Sequence, residues 1–545
     1  MTITVYPARQ IHTMDPSLPT ATAMAVRGDR IVEVGTMESL RPWLDAHEHL
    51  VDSRFADSVL LPGLIDPHVH PSMMAMLMAT EWITPEAWNL PGRDVPATVG
   101  NDAYLARLAE LEARHPSEQP FVTFGWHRQF HGEVSRSDLD VLSTTRPIVV
   151  WGRSGHQVCC NGPALEMVEA AEGAAWDPHI DLETGWMWES GMAWALQRLR
   201  SVLFEGGQYE AMMEEVAQLV HRGGVTTIAD AGFGGMALPE REIEVLAQVH
   251  EGDHVPFRQY LIPQVGTFKR VYGDEAEDRM AALSEHASER IRFLDAGKFF
   301  ADGAFIAQLM QLGEPGYIDG HEGAWMAEPD RIVWHVRPCW NTGKQVHVHV
   351  NGDLGMDATL DAIAELQAEM PRFDHRTVLH HFGVTTQAQS RRAAALGCAV
   401  QANGYYLRFF GDQYVAEGLG TERASQLTRV GSARRNGMSV ALHSDLPMGP
   451  LEPLLAASAM ATRTSGSGVV LGENERLSPY DAIAAVTIEP AWQLFLDGEI
   501  GSLAAGKLAD VTVLADDPFE MEPATWPDID IEATMLSGRV YPLPA

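Results

Sequence analysis

The segment LPGLIDPHVHP, from Leu61 to Pro71, decides the fold. The residues from Ser58 to Ile65 are mostly apolar, and this run is long enough for one buried strand. His68 and His70 follow, and residues two apart on an extended segment point to the same face. Pro71 is expected to help stop the strand. The two imidazoles would therefore converge just past a strand end, where a zinc-like ion accepts two neutral nitrogen ligands.

The composition narrows the range of partners. The chain has 545 residues, with 39 Lys and Arg against 74 Asp and Glu, and a formal net charge of −35. This length predicts one large domain with insertions or two to three domains. Neither a nucleic acid nor a membrane partner is expected, because no basic run is present and no apolar run is long enough for a bilayer. The start of the chain does not resemble a signal peptide and no CxxC pair occurs, which favours a cytoplasmic protein with reduced thiols. A small molecule is the expected substrate, and a homodimer is left open.

Apolar, β-rich runs recur along the middle of the chain, with helical patterns between most of them. The eight runs are Leu61–Ile65, Gly224–Asp230, Phe257–Ile262, Ala296–Ala301, Gln345–Val350, Arg376–His380, Gly397–Gln401 and Gly437–Leu442. Eight strands that alternate with helices predict an α/β fold, a (β/α)8 barrel of the TIM type over residues 61–497. An open doubly wound sheet is the alternative.

The two ends of the chain carry short strand patterns instead. Residues 1–60 contain a predicted hairpin around Arg27–Arg30, and residues 498–545 contain a strand at Ala509–Leu514 and a further turn. Neither end is large enough to fold alone, so they are predicted to pair into one small β-sandwich domain. The stretch from about residue 80 to 205 is too long for a structureless loop, and is predicted to be an ordered insertion over the catalytic end of the barrel.

Side chains that suit a metal lie at the ends of the predicted strands, where a (β/α)8 barrel holds its chemistry. They are His68 and His70 after strand one, Lys298 within strand four, His349 at the end of strand five, His381 at the end of strand six and Asp445 after strand eight. One such residue is weak evidence, whereas six in this order predict a metal site. His347 and His443 are expected to pack or hydrogen-bond beside the ligands, and the role of His380 stays open.

This order of motifs resembles the amidohydrolase superfamily of metal-dependent hydrolases, and within it the YtcJ-like branch that includes N-substituted formamide deformylases. The motifs are HVHP at residues 68–71, AGKFFADG at 296–303, HVHVNGD at 347–353, HH at 380–381 and HSDLP at 443–447. The resemblance also covers GHQVCCNGPAL at 155–165 and TIEPAWQLFLDGEIGSLAAGKLADVTVLADDP at 487–518. It therefore extends over nearly the whole chain.

The resemblance implies two divalent metal ions, with zinc as the first choice and manganese, iron or cobalt as alternatives. The ligands would be His68 and His70 at the more buried ion, His349 and His381 at the second, and Lys298 between the two. Carbon dioxide would carboxylate Lys298 to a carbamate, since a free ammonium cannot bind a cation. Position 380 departs from the family, because relatives often carry Glu before the ligand histidine.

The implied reaction is hydrolysis of the C–N bond of an amide, of the N-acyl or N-formyl amine type. Asp445 would take a proton from a metal-activated water and return it to the leaving nitrogen. Hydrolysis or deamination of a cyclic amide, lactone or related heterocycle is the alternative. A metal-free binding protein is a third class, but such proteins usually lose ligands and this chain keeps all six candidates. The candidate substrate contacts are His156, Asn161 and Trp126, with weaker candidates at Glu189, Tyr405, Tyr406 and Arg408.

Overall fold

The computed structural model describes residues 2–116, 119–203 and 207–543. Its centre is a set of eight parallel strands that occupy the places of the eight predicted runs. They are β1 Leu64–Val69, β2 Val225–Phe233, β3 Arg258–Pro263, β4 Ala296–Phe300, β5 Gln345–Val350, β6 Val378–His381, β7 Ala399–Asn403 and β8 Val440–His443. Nearly all of their residues are buried, as expected for parallel strands covered on both faces.

These strands belong to two parallel sheets, β1 to β3 and β4 to β8, whose edges meet. A short strand at Ile291–Phe293 extends the first sheet beside β3, and Gln264 forms an isolated parallel bridge with Lys298 on β4. On the opposite side, the amide of Asp445 donates to the carbonyl of His68 at 3.0 Å. The first and last strands therefore lie side by side.

The opening stretch differs from its prediction, because the single predicted run forms two strands. Val59–Pro62 joins the sheet of the chain ends, and β1 begins at Leu64. Gly63 lies between them, where a Cβ would come 2.0 Å from the Thr226 hydroxyl, so the chain turns from one sheet to the other at a residue without a side chain. The proline after the histidines also has another role, since it is the first residue of the helix Pro71–Met78.

Helices connect the parallel strands. The longer ones are Pro71–Met78, Gln208–Arg222, Pro239–Val249, Val265–Tyr272, Ile332–Asn341, Asp353–Glu369, Gln387–Ala395, Tyr406–Gln413 and Pro453–Thr462. The shorter ones are Ala276–Ala282, Gly420–Ala424, Val430–Arg435, Pro479–Ala484 and Ile488–Gln493. Among the described residues, no helix is both long and apolar enough to cross a membrane.

Local chemistry sets where these helices begin. Thr386 accepts a hydrogen bond from the Gln389 amide at 3.1 Å, and the Gln389 side chain accepts one from the Thr386 amide at 2.9 Å. This reciprocal pair satisfies two backbone donors that a helix start otherwise leaves free, and fixes the start of Gln387–Ala395. Between β3 and β4 the run Glu275–Arg290 has a helical sequence pattern, which predicts one helix, but only Ala276–Ala282 is α-helical there.

The stretch between β1 and β2 contains strands and helices of its own. Its sheet contains the strands Glu81–Trp82, Phe121–Trp126, Ile148–Gly152, Gln157–Cys160 and Trp186–Trp188, beside a hairpin of Trp88–Leu90 and Arg93–Val95. Its helices are Asn101–Arg114, Arg128–His131, Arg136–Leu142, Gly162–Met167, Ala170–Ala174 and Ser190–Leu203. The buried Arg153 donates to the carbonyl of Pro447 at 3.0 Å and to Glu86 at 2.7 Å. The insertion is thereby bonded to the loop that follows β8 and carries Asp445.

Both ends of the chain form one connected sheet of eight strands. The amino-terminal part supplies Ile3–His12, Thr20–Arg27, Arg30–Gly35, His49–Val51 and Val59–Pro62, with the helix Met37–Ala46. The carboxyl-terminal part supplies Val511–Leu514, Ile531–Leu536 and Arg539–Pro542. Val59–Pro62 lies between Ile3–His12 and Val511–Leu514. Strands from both chain ends thus pair in one sheet, while the composite β-sandwich domain and its limits at residues 60 and 498 stay predictions.

Candidate metal centre

Histidines from separate elements converge with one carboxylate at the carboxyl ends of β1, β6 and β8. His68 Nε2 lies 3.2 Å from His70 Nε2, and each of these nitrogens lies 3.3 Å from Asp445 Oδ1. His381 Nδ1 lies 3.6 Å from the other oxygen of Asp445. Ring nitrogens of His68, His381 and His443 also lie within 4.8 Å of one another. The structure thus brings four predicted site residues together and adds His443.

Several buried polar atoms of this cluster have no hydrogen-bond partner within the described part of the chain. They are both ring nitrogens of His381, both ring nitrogens of His443 and Nζ of Lys298. A buried polar group left unpaired costs about 1–3 kcal/mol, so such groups are normally satisfied. Imidazole nitrogens and carboxylate oxygens are also the ligands that zinc and related ions prefer. The donor set therefore fits a divalent metal.

Lys298 on β4 is buried, with 1% of its surface exposed. Burial lowers the pKa of its amine to about 7, although the negative charges of Asp445 and Asp230 act in the opposite direction. Asp302, four residues further along the chain, forms no ion pair with it, because its oxygens accept hydrogen bonds from three backbone amides. Burial therefore outweighs the two carboxylates, so the Lys298 amine loses its proton more readily than an ordinary lysine does.

The backbone around the cluster is held in uncommon conformations. His381 has φ of +71° and Asp445 has φ of +59°, in the left-handed region that non-glycine residues rarely adopt. Such a residue costs about 1–3 kcal/mol and persists where surrounding contacts fix it. The absence of a side chain at Gly232 also leaves room for the His70 ring, since a Cβ on Gly232 would lie 2.8 Å from His70 Nδ1. These features place the site side chains at the expense of local backbone stability.

Asp230, near the end of β2, is a site residue that the sequence pattern did not reveal. Its Oδ1 lies 3.8 Å from His70 Nδ1. Burial lowers the pKa of His70, but the carboxylates of Asp230 and Asp445 outweigh this effect and raise it to about 9. The available signal was its position, because Asp230 ends the second apolar run in the same way that the predicted ligands end theirs.

His349 lies beside this cluster. Its ring centroid is 4.3 Å from that of His381, and its Nε2 lies 3.0 Å from the amide nitrogen of Asn351. Among the described residues, the two groups of histidine and carboxylate ligand atoms that lie within 4.8 Å of one another do not include His349. The structure therefore places this predicted ligand next to the core of the site.

His156 extends from the insertion to the site. Its ring centroid lies 5.7 Å from that of His349, and its Nδ1 lies 3.0 Å from Glu189 Oε2. Burial lowers the pKa of His156, but the Glu189 carboxylate raises it by more, so the net change is upward. No described group bonds to Nε2 of this ring. His156 thus presents a free ring nitrogen beside the predicted metal ligands.

The other two predicted substrate contacts pack within the insertion. Trp126 is 3% exposed, its ring centroid lies 4.3 Å from that of Trp186, and its Nε1 donates to the carbonyl of Gly132. Asn161 caps the helix Gly162–Met167, and its amide group bonds to four backbone groups. The structure does not bring Trp126 or Asn161 to the histidine cluster.

The tyrosines after β7 differ from each other. The Tyr405 hydroxyl donates to the carbonyl of Glu452 at 2.9 Å. Tyr406 stacks on Phe305 at 3.8 Å and lies 6.3 Å, between ring centroids, from His381. Tyr406 is therefore the member of this pair that lies near the site, and Arg408 follows it on the helix Tyr406–Gln413.

The sequence comparisons identify the class of hydrolase to which this fold and site belong. The sequence profile of the Amidohydrolase family matches residues 56–542, so the chain belongs to this family. The putative amidohydrolase YtcJ of Bacillus subtilis (strain 168) is 25% identical over 502 residues, which cover 89% of each chain. The N-substituted formamide deformylase of Arthrobacter pascens is 22% identical over 539 residues, covering 97% of this chain and 96% of the relative. The resemblance to the YtcJ-like branch is confirmed.

The solved structures support the fold. An uncharacterized metal-dependent hydrolase from Pyrococcus horikoshii OT3 has a TM-score of 0.72 against this chain, with 17% sequence identity. The match covers 96% of this chain and 99% of that one. At this identity the likeness establishes a common mixed α/β fold.

Proposed function

We propose that this protein is a metal-dependent hydrolase that uses water to cleave the C–N bond of an N-acyl or N-formyl amine. One observation carries the proposal: ring nitrogens of His68 and His70 lie within 3.3 Å of each other and of the Asp445 carboxylate. The unpartnered amine of Lys298 beside them supports it. The deformylase among the relatives supports the amide class of substrate.

Two divalent ions, with zinc as the first choice and manganese, iron or cobalt as alternatives, would be held by residues already described. The proposed ligands are His68, His70, His349, His381 and Lys298, with His443 as an additional candidate. When bound, the metal would lower the pKa of a water molecule and polarise a carbonyl group. A closed (β/α)8 barrel, proposed from the meeting edges of the two sheets, would place all of these residues on one rim.

Lys298 would serve this site as a carbamate. Its neutral amine would attack the carbon of carbon dioxide, so that an N–C bond forms while one C=O π bond opens and its electron pair moves to oxygen, and the nitrogen then loses a proton to solvent. The product carries one negative charge on two oxygens, which is the kind of group that a divalent cation binds. Its formation needs a neutral amine, and burial favours that state by more than the negative charges of Asp445 and Asp230 oppose it.

Asp445 and His156 would perform the proton and carbonyl chemistry. Asp445 would take the proton of the attacking water and deliver it to the leaving nitrogen, which becomes a free amine. His156 would donate a hydrogen bond from Nε2 to the substrate carbonyl oxygen, while Glu189 holds its Nδ1. The insertion supplies His156, so it would form one wall of the substrate pocket.

A substrate screen on metal-loaded protein tests the proposal. Release of amine from N-formyl amines or N-acyl amino acids is the expected result. Turnover confined to cyclic amides, lactones or deamination substrates would favour the alternative reaction. Metal analysis that finds no divalent metal in protein prepared with metal supplied would reject the metal-dependent mechanism.

Asp445→Asn then tests the proton transfer in the same assay. This change keeps the shape and removes the basic carboxylate, so kcat should fall by about 10²–10⁴-fold while the metal content is largely kept. Asp516→Asn is the matched control, because Asp516 is exposed and forms no ion pair with any described residue. Near-normal kcat in Asp445→Asn would move the proton transfer to another residue, with His443 next in line.

A further inference from the structure

A chain of buried hydrogen bonds leads from His68 into the interior of the parallel strands. Nδ1 of His68 lies 2.5 Å from Nδ1 of His380, on β6. The other nitrogen of His380 lies 2.9 Å from Nδ1 of His347, on β5. Nε2 of His347 in turn lies 2.9 Å from Oε1 of Gln345, at the start of β5. All four side chains are buried, so this hydrogen-bond chain lies away from bulk solvent.

Gln345 determines the direction of these bonds. Its side-chain nitrogen donates to the carbonyl of Arg376 at 2.8 Å and to the carbonyl of Gln493 at 2.6 Å. A backbone carbonyl can only accept, so the amide nitrogen must face these two groups and the amide oxygen must face His347. That oxygen can only accept as well. Nε2 of His347 must therefore carry the hydrogen.

The same argument determines which nitrogens of the two middle histidines, His347 and His380, carry hydrogen. Neither His347 nor His380 has a carboxylate within ion-pair distance among the described residues, and a buried imidazole without a counter-charge is neutral. A neutral imidazole has one donor and one acceptor nitrogen. Nδ1 of His347 therefore accepts from Nε2–H of His380, and Nδ1 of His380 accepts from Nδ1–H of His68.

The last bond defines the state of the proposed metal ligand. With its hydrogen on Nδ1, His68 has a lone pair on Nε2, the nitrogen that lies 3.3 Å from Asp445. If all of these hydrogen bonds ran in the opposite direction, the hydrogen of His68 would lie on Nε2, and this nitrogen could not bind a metal. The two arrangements differ only in the direction of the bonds, and the amide at the far end allows one of them.

We propose that Gln345, acting through His347 and His380, sets the tautomer of His68 and so prepares its Nε2 for a metal ion. The three are positioning residues. Gln345 and His347 do not bond to His68, and His380 bonds only to Nδ1 of His68, which is not the nitrogen proposed to bind the metal. The histidine at position 380 is essential, because it accepts at one nitrogen and donates at the other. The inference rests on the proposed function only in taking His68 as a ligand.

The first experiment uses the full-length, metal-free protein without substitutions. Ring ¹⁵N-labelled histidine and two-bond ¹H–¹⁵N correlation spectra report which nitrogen of each imidazole carries the hydrogen, and His68→Gln identifies the His68 signal by its loss. The expected result is a neutral His68 with its hydrogen on Nδ1. A hydrogen on Nε2 would overturn the inference. The tautomer is measured in the protein without substitutions, and His68→Gln is needed only to assign the signal.

The second experiment compares two glutamine substitutions by zinc competition with a chromogenic chelator. Gln345→Leu removes the amide oxygen that accepts from Nε2 of His347 at the end of this series of hydrogen bonds. Zinc affinity should therefore fall by about 10–100-fold, the usual effect of losing a group that orients a ligand histidine. Gln259→Leu is the matched control: Gln259 on β3 is also buried and its Oε1 lies 3.0 Å from Nδ1 of a buried histidine, His250, outside the cluster.

The outcomes separate orientation from a general loss of stability. In Gln345→Leu the His68 signal should shift toward the Nε2–H form, whereas Gln259→Leu should keep both the tautomer and the zinc affinity. Unchanged affinity in Gln345→Leu, or equal losses in both variants, would overturn the inference. Neither measurement needs a substrate, so a protein that fails the hydrolysis screen but shows Nδ1–H on His68 would reject the proposed function alone.

Discussion

Lys298 is the residue whose surroundings differ most from those of an ordinary lysine. Its amine lies among histidine rings and apolar strand residues, without a hydrogen bond or ion pair within the described part of the chain. An isolated buried ammonium is costly, so the site favours a neutral amine or a modified one. A bridging carbamate would resolve the missing partner and supply the anionic ligand that the histidines lack.

Lys298→Ala should therefore lower the metal content from close to two equivalents to one or fewer, with hydrolysis lost in parallel. Elemental analysis of protein prepared with zinc supplied measures the change. Lys344→Ala is the control, because the Lys344 ammonium pairs with the exposed Asp295 away from the site. Two equivalents of metal in Lys298→Ala would show that the histidines and Asp445 are sufficient to bind both metal ions.

For single residues, the sequence predicts which side chains lie on the same face better than it predicts which atoms of those side chains meet. The period of two along a strand indicates that His68 and His70 share a face, and the structure shows their Nε2 atoms 3.2 Å apart. No such rule indicates which ring nitrogens meet across neighbouring strands, so the bonds of His380 could not be foreseen. Trp126 illustrates a further limit, because a motif does not reveal that its side chain packs against Trp186.

Among the elements, the junction of Val59–Pro62 with β1 is the most constrained. The chain passes from one sheet to another at Gly63, against the side chain of Thr226. An apolar run alone could not indicate this division, because both strands are buried and the period does not change between them. The seven later strands were foreseen to within a few residues, since turn residues and helical patterns separate them.

Gly63→Ala should destabilise the protein by about 1–3 kcal/mol, the usual effect of forcing an extra carbon into a packed region. Thermal unfolding followed by circular dichroism measures the shift of the midpoint. Gly266→Ala is the matched control: Gly266 lies in the helix Val265–Tyr272 with no atom within 4 Å of its added Cβ. That change should leave the midpoint unchanged or raise it, since alanine favours a helix. Equal midpoints for the two variants would contradict the close contact.

Over the whole molecule, a buried ion pair joins the sheet of the chain ends to the parallel strands. Arg258 on β3 forms a bidentate pair with Asp510, which also accepts from the amide of Ser537. Both partners of the pair are 3% exposed. The pairing of the chain ends was foreseen because neither end can fold alone, but this link was not, since no local pattern relates residues so far apart.

Asp510→Ala should destabilise the protein by about 3–5 kcal/mol, because it leaves the guanidinium of Arg258 buried without its partner. Urea unfolding followed by tryptophan fluorescence measures the loss. Asp253→Ala is the control, since its pair with Arg539 is exposed and such pairs contribute little. A similar, small effect of both changes would mean that the two parts of the molecule are held together by other contacts.

The sheet made from both chain ends has a consequence for synthesis on the ribosome. Val59–Pro62 emerges early, yet its neighbour Val511–Leu514 is translated about 450 residues later. At roughly 5–20 residues per second, that interval lasts on the order of 20–90 s. During this time the strand exposes unpaired amides and carbonyls, which are templates for mispairing with other nascent chains. The rate of translation and the availability of chaperones should therefore govern the yield of native protein.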